Sequence, residues 1–479
     1  MVMRKIHNFR YMSGLLLMAS LTLTSCEKLI TADEPLDTIT ANKIFDTDAK
    51  AETAIAGVYS VMINGTSARA SASATENFAG GLADIAGALS AGEYVNQLGS
   101  QVANQWALTT STLNASNSSL TETLWTSAYN GIYAANTVID GLNESSSANL
   151  RDSVKKELIA EAKFLRAFSY FYLVNFFGPV PLALSSDVNQ TNGLSRSNEQ
   201  VVYQQIVADL KDAEAGLAAD YSVGRGKRVR ANRYAATALL ARVYLYMKEY
   251  ENAAVKASEV ISRSSLYTLE PNLDDVFRTT SREAIFQFLQ TDKDNTLRNA
   301  TPLGYVSKTF FLTTETLNAF ETGDLRKTRW VNSGNVYKYN ISSANAVFNA
   351  PQREYYMALR LGELYLVRAE ARANGATGGL TGAIDDLNEL RRRADVDELD
   401  ESLGEAAVKA AVEKERQTEL FAEWAHRWFD LKRSGKASQY LQTLSAKLPW
   451  EGDYQLLYPI PAKDRQLNNR IDQNPGYTF

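Results

Sequence analysis

The chain has 479 residues, is 45% hydrophobic and 22% charged, and carries a formal net charge of −5. That balance supports a sizeable buried core, and the lack of a basic stripe or arginine-rich run argues against nucleic acid as the main ligand. With His7, His426 and Cys26 as its only histidines and cysteine, it cannot build Cys/His zinc sites or Cys–His nucleophile pairs. Carboxylate chemistry is the main enzymatic option left, and no cofactor or metal is expected.

Residues 1–10, MVMRKIHNFR, carry Arg4, Lys5 and Arg10 and no acid, and an apolar stretch follows from Met12 to Leu23. This is the charged n-region and h-region of a signal peptide, too short to span a bilayer, which needs ~20 apolar residues. It ends in Leu23-Thr24-Ser25-Cys26, which resembles a bacterial lipobox. The resemblance implies cleavage before Cys26 and lipid on its thiol, with two or more acyl chains giving stable anchoring. Residues 1–25 are thus expected to be a lipoprotein signal peptide and 26–45, with Pro35 and many small polar residues, a lipidated tether. Glu27, Asp33 and Glu34 loosely resemble acidic surface-export signals.

The mature chain reads as helix followed by helix. Residues 124–142 pair with a helix at 47–62, and the apolar helix at 157–177, stopped by Gly178-Pro179, pairs with 198–217. Residues 231–261 form two helices with a break near Lys248-Glu249, and 357–394 repeat that plan around a Gly-rich turn. Such pairs have tetratricopeptide-like spacing, cannot bury their apolar faces alone and should stack into a superhelix. Two regions interrupt the pattern. Residues 63–120 are rich in Ser, Ala, Asn, Gly and Thr; residues 268–353 hold short alternating stretches such as EAIFQFLQ (283–290) and NVYKYN (335–340), which read as small strands.

The C-terminal half carries ALRLGELYLVRAEA (358–371), LNELRRRA (387–394), VEKERQTELFAEWAHRWFDLKRSG (412–435), YPIPAKDRQLNN (458–469) and QNPGY (473–477), in that order. With AEAKFLRAFSYFYLVNFFGPVPL in the N-terminal half and the lipobox, this order resembles the SusD/RagB family of Bacteroidetes outer-membrane nutrient-binding lipoproteins. The resemblance covers essentially the whole mature chain. It implies a mainly α fold, a tetratricopeptide-like helix-pair superhelix with long loops and small β-hairpins. It divides the mature chain into an N-terminal SusD-like helical region (46–267) and a C-terminal RagB/SusD region (268–479). It further implies a surface-exposed, non-catalytic protein that binds oligosaccharide, or in some members peptide, and delivers it to a SusC-like TonB-dependent transporter.

Ligand residues come from residue type and loop position, since family members differ too much there to transfer them. Sugars stack their C–H faces on aromatic rings and hydrogen-bond to amides. Tyr94, Asn96, Gln97 and Trp106 are candidates in the first loop region, and Tyr305, Trp330 and Tyr337 in the second. Each ring is equally suited to a satellite core.

Glu415, Glu419, Glu423 and Arg427 recur every four residues and read as ion pairs along one helix; the rival is a pair of glycosidase carboxylates. His426, between Trp424 and Trp428, reads as a packed residue. Glu363, Arg368 and Glu370 read as charges that fix helix pairing. Arg391, Arg392 and Arg393 suit a helix C-terminus, with a phosphate site as the alternative, and Asp324 with Arg326 reads as a structural turn. Pro459, Pro461 and Asn474-Pro475-Gly476 are read as routing the last segment across the surface. A carboxylate glycoside hydrolase and a protein-only tetratricopeptide adaptor remain as rival functions.

Overall fold

A computed structural model describes residues 44–66, 77–114, 117–289, 310–339 and 354–478; the architecture below is that of the unit Phe45–Phe479. The signal peptide, Cys26, the tether up to residue 43 and Tyr305 lie outside the described residues. The longer helices are α1 (Asp48–Asn64), α2 (Leu82–Ala91), α3 (Ala103–Thr110), α4 (Ser119–Glu144), α5 (Asp152–Phe177) and α6 (Glu199–Gly216). They continue with α7 (Arg233–Tyr246), α8 (Tyr250–Ile261), α9 (Leu361–Ala373), α10 (Gly379–Arg393), α11 (Glu405–Glu419) and α12 (His426–Arg433).

Short polar side chains set several starts. Thr47 accepts the Lys50 N–H at 3.4 Å before α1, Asn198 the Val201 N–H at 2.9 Å before α6, and Asn232 the Ala235 N–H at 2.9 Å before α7. Each satisfies a backbone donor that the first helical turn leaves open. Helix α5 stops at Gly178, whose φ of 73° suits glycine and whose N–H returns to the Val174 carbonyl at 2.9 Å, with Pro179 barring continuation.

All four helix pairs legible in the sequence form: α1 with α4, α5 with α6, α7 with α8 and α9 with α10. Further packing of α4 on α5, α6 on α7 and α8 on α9 joins the pairs into one stack. Helix α5 is the centre. Phe164, Phe168, Phe171, Phe176 and Phe177 are all at most 1% exposed, each worth about 2–3 kcal/mol of burial. A Cβ at Gly216 would stand only 2.6 Å from that of Ala160, so glycine allows α6 to approach α5 closely.

The strands form four antiparallel two-stranded pairs among the described residues: β1 (Tyr94–Asn96) with β5 (Phe310–Leu312), β2 (Val180–Pro181) with β3 (Arg196–Ser197), β4 (Ala284–Phe288) with β8 (Tyr356–Arg360), and β6 (Val331–Asn332) with β7 (Asn335–Val336). The fold is therefore mainly α with small strand pairs. Among the described residues no helix is long and apolar enough to cross a membrane.

Four expectations need correction. The region 63–120 is not all loop, because LADIAGALSA folds as α2 with all its residues buried; apolar on every side, it lacks a helical stripe. Residues 356–360 are strand β8, paired with β4, and helix begins only at Leu361. The stretch 412–435 is not one helix. It breaks between Glu419 and His426, where Ala422, Trp424 and Ala425 have φ of 56°, 47° and 60°, so Glu423 and Arg427 do not continue the face of α11. The last segment runs over the surface only in part: residues 462–470 are exposed or half-buried, but Tyr458 and Ile460 are at most 1% exposed, and Asn474 donates to the carbonyls of Phe177 and Tyr458 at 2.8 Å each.

Candidate functional site

Strand β5 brings the two irregular regions together. It pairs with β1 in the register Tyr94↔Leu312, Val95↔Phe311 and Asn96↔Phe310, and the Leu312 N–H donates to the Gly334 carbonyl at 2.7 Å, in the turn between β6 and β7. Alternation along a strand sends neighbouring side chains to opposite faces. Tyr94, Asn96, Phe310 and Leu312 point inward and are buried, while Val95 is 37% exposed and Phe311 half-buried on the outer side. Leu98, Trp106 of α3 at 36% exposure and Tyr337 at 37% are also exposed, in the segments that follow β1 and β7.

The candidates fall into two groups. Gln97, Trp106 and Tyr337 present side chains to solvent. Tyr94, Asn96 and Trp330 are at most 2% exposed and leave no face for a ligand in this arrangement. Asn96 instead accepts the Leu98 N–H at 2.8 Å and donates to Gln105, tying the start of α3 to β1. Trp330 packs edge-on to Phe277 and donates its indole N–H to the Leu273 carbonyl at 3.0 Å. Val95, Leu98 and Phe311 are exposed or half-buried here and are absent from the sequence candidates; the alternation in YVN and FFL signals Val95 and Phe311, and nothing in the sequence signals Leu98.

Titratable groups support this edge from inside. Lys447, 1% exposed, donates to the carbonyls of Leu89 (3.0 Å) and Leu108 (2.7 Å) near the ends of α2 and α3, and burial pushes its ammonium down to about 7. Glu93, next to β1, is pushed up to about 7 by burial against the pull of Arg427. Asp84 on α2 is pushed up to about 8 by burial, although it accepts hydrogen bonds from the Tyr356 hydroxyl (2.6 Å) and the Trp424 N–H.

The acidic residues of α11 and the following turn form a different structure. Glu419 accepts from Arg360 at 2.6 Å, from Arg326 at 3.1 Å and from Arg393. Glu415 pairs with Arg326 at 2.5 Å and Arg391 at 3.2 Å, and Glu423 with Arg360 at 2.9 Å and Lys338 at 2.5 Å. Burial alone would raise Glu419, but Arg393, Arg360 and Arg326 outweigh it and hold its carboxyl well below the usual range. All three carboxylates are at most 6% exposed. A glycosidase acid needs access to the leaving group, which all three lack, and the cations around Glu419 and Glu423 lower their pKa values where an acid catalyst needs a raised one.

The partners are therefore long-range cations, not arginines one turn away. Arg391 and Arg393 carry carboxylate partners here, and Arg392 pairs with Glu389 and Glu398, so the run is occupied by acids and not shaped for phosphate. Asp324 caps the short helix Leu325–Arg329 and holds Arg326 at 2.9 Å. Glu363, Arg368 and Glu370 do fix helix packing, through Arg242 of α7, Asp386 of α10 and Arg433 of α12. His426 is 4.0 Å from Glu363, and burial together with Arg242 and Arg416 keeps its pKa well below the usual value, so the ring is neutral. No group of three His, Cys, Asp or Glu able to hold a metal occurs among the described residues.

Residues 36–245 match a SusD-like family model described as starch-binding and associating with the outer membrane, and residues 313–477 match the SusD/RagB model of the SusD family. The chain is 25% identical to SusD-like protein P2 of Formosa agariphila, over 95% of this chain and 98% of that one. Among solved structures, it resembles a SusD superfamily protein from Bacteroides vulgatus with a TM-score of 0.75 at 20% identity, covering 91% of this chain and 100% of that one. It also resembles a laminarin binding SusD-like protein with a TM-score of 0.72 at 24% identity, covering 90% and 100%.

Proposed function

The chain belongs to the SusD/RagB family, and on that premise we propose that it captures nutrient oligosaccharides at the outer membrane and passes them to a SusC-like TonB-dependent transporter. In this reading the protein is a surface-exposed lipoprotein held by lipid on Cys26, and it binds its cargo without turnover. The lipobox-like Leu23-Thr24-Ser25-Cys26 supports the anchor. The laminarin binding of one structural relative supports a glycan as cargo.

The observation that carries the binding role is the outer edge of β1, β5 and α3, with the partly exposed rings of Trp106, Phe311 and Tyr337 beside surface amides. Rings of that kind can stack on the C–H faces of sugars, while amides serve the hydroxyls. The buried, ion-paired carboxylates of α11 and the turn after it support a structural part for the residues a hydrolase would need.

Calorimetry on residues 27–479 with glycan oligomers and peptide digests tests the proposal. Saturable glycan binding, weakened at least about tenfold by Trp106→Ala, is expected, the scale of one well-packed aromatic contact. Saturable binding of peptides and of no glycan would assign the capture role to peptide instead.

A further inference from the structure

We infer that the oligosaccharide taken at this edge is a neutral one, free of uronate and sulfate groups. The inference rests on the capture reading above and concerns the same surface.

In a chain that is 22% charged, no Asp, Glu, Lys, Arg or His occurs from Tyr94 to Thr121. None occurs in β5 or from Trp330 to Tyr337 either. These are the segments that build the outer edge, so its charge-free character comes from both irregular regions at once.

Among the described residues, Lys327 of the helix before Trp330 is exposed, while the cations directly next to these segments or beneath them are committed elsewhere. The Lys338 side chain is 0% exposed, donating to Glu423 and to the carbonyls of Glu419 and Phe421. Lys447 is buried on two helix-end carbonyls. Arg329 is exposed but pairs with Asp274 at 3.3 Å. The acids nearest in sequence are Glu93, which is buried, Glu122, which accepts from Ser118, and Glu315, which is exposed just after β5.

An anionic sugar docking here would lose water from its carboxylate or sulfate and meet no counter-charge from the described residues of the edge itself, which is unfavourable. The net negative charge of the chain adds a repulsive field at longer range. Recognition through a bridging divalent cation lacks a ligand set among the described residues. What the edge does offer is neutral: the exposed side chains of Gln97, Ser100 and Gln101 and the half-buried Asn104. These supply both donors and acceptors, the pattern that sugar hydroxyls need.

The test is calorimetry of residues 27–479 against α- and β-glucan oligomers and against polyuronate oligomers of matched length, at about 50 mM and about 500 mM salt. A glucan is expected to bind with a Kd that changes less than about twofold with salt, and polyuronates to bind at least about tenfold more weakly. A polyuronate that binds as tightly as the best glucan, or a glucan Kd that rises tenfold with salt, overturns the inference while leaving glycan capture intact. If nothing in either panel binds, the capture reading falls and the inference with it. As a second arm, Gln97→Lys places a cation on the exposed turn after β1 and is expected to create salt-sensitive polyuronate binding. No gain in that variant overturns the placement of the ligand on this edge.

Discussion

Glu419→Gln is the sharpest perturbation of the fold. Glu419 is 0% exposed, with one carboxylate oxygen accepting from Arg360 and Arg393 and the other from Arg326. An amide keeps one acceptor and turns the other position into a donor facing a guanidinium, so at least one cation loses its charge partner. Breaking one partner of a buried ion pair costs about 3–5 kcal/mol, a large share of the stability of a typical domain. Urea unfolding followed by circular dichroism should show the midpoint fall accordingly, while Glu405→Gln, an exposed pair with Lys409 on the same helix, unfolds with the parent. The sign with pH is also set. Because the folded-state pKa of Glu419 is depressed, its stabilisation is present above the ordinary carboxylate pKa and is lost as pH falls below it, so the variant should be the less acid-sensitive protein. A Glu419→Gln midpoint equal to that of the parent would refute the structural assignment. A higher one would point to a carboxylate held under strain for chemistry.

Asp84 behaves in the opposite sense. With its pKa raised to about 8, the stability linked to its proton is present below about pH 4 and is lost as pH rises through about 8, at up to about 1.4 kcal/mol per pH unit. Asp84→Asn should flatten that loss and unfold at higher urea than the parent at pH 9; parallel pH profiles would contradict the assignment. For the anchor, Cys26→Ser should release the protein from the outer-membrane fraction, as measured by sucrose-gradient fractionation and immunoblotting, and unchanged fractionation would remove lipid attachment as its basis.

The helix pairs were legible because their apolar and small residues run over several helical turns and end at breaks such as Gly178-Pro179, even where, as in α5 and α7, nearly every side is buried. Helix α2 was not, because it is short and lies in a stretch rich in Ser, Ala, Asn, Gly and Thr that reads as irregular. The ion cluster was misread for a different reason. Spacing of four residues invites a local pairing, but Arg326 and Glu415 lie 89 residues apart, and only the fold brings them together. The candidate site was half legible. Loop position and residue type found Gln97, Trp106 and Tyr337, but could not say which side of a three-residue strand faces solvent. That is why Tyr94 and Asn96 were taken in and Val95 and Phe311 left out.

The claim that this chain captures glycans through its outer edge is tested most directly by titrating one glucan oligomer into the parent and Trp106→Ala proteins side by side. Saturable binding to the parent is expected, weakened at least about tenfold in the variant with the same urea midpoint for both. Equal affinity in the two proteins, or no glycan binding by the parent, would contradict it.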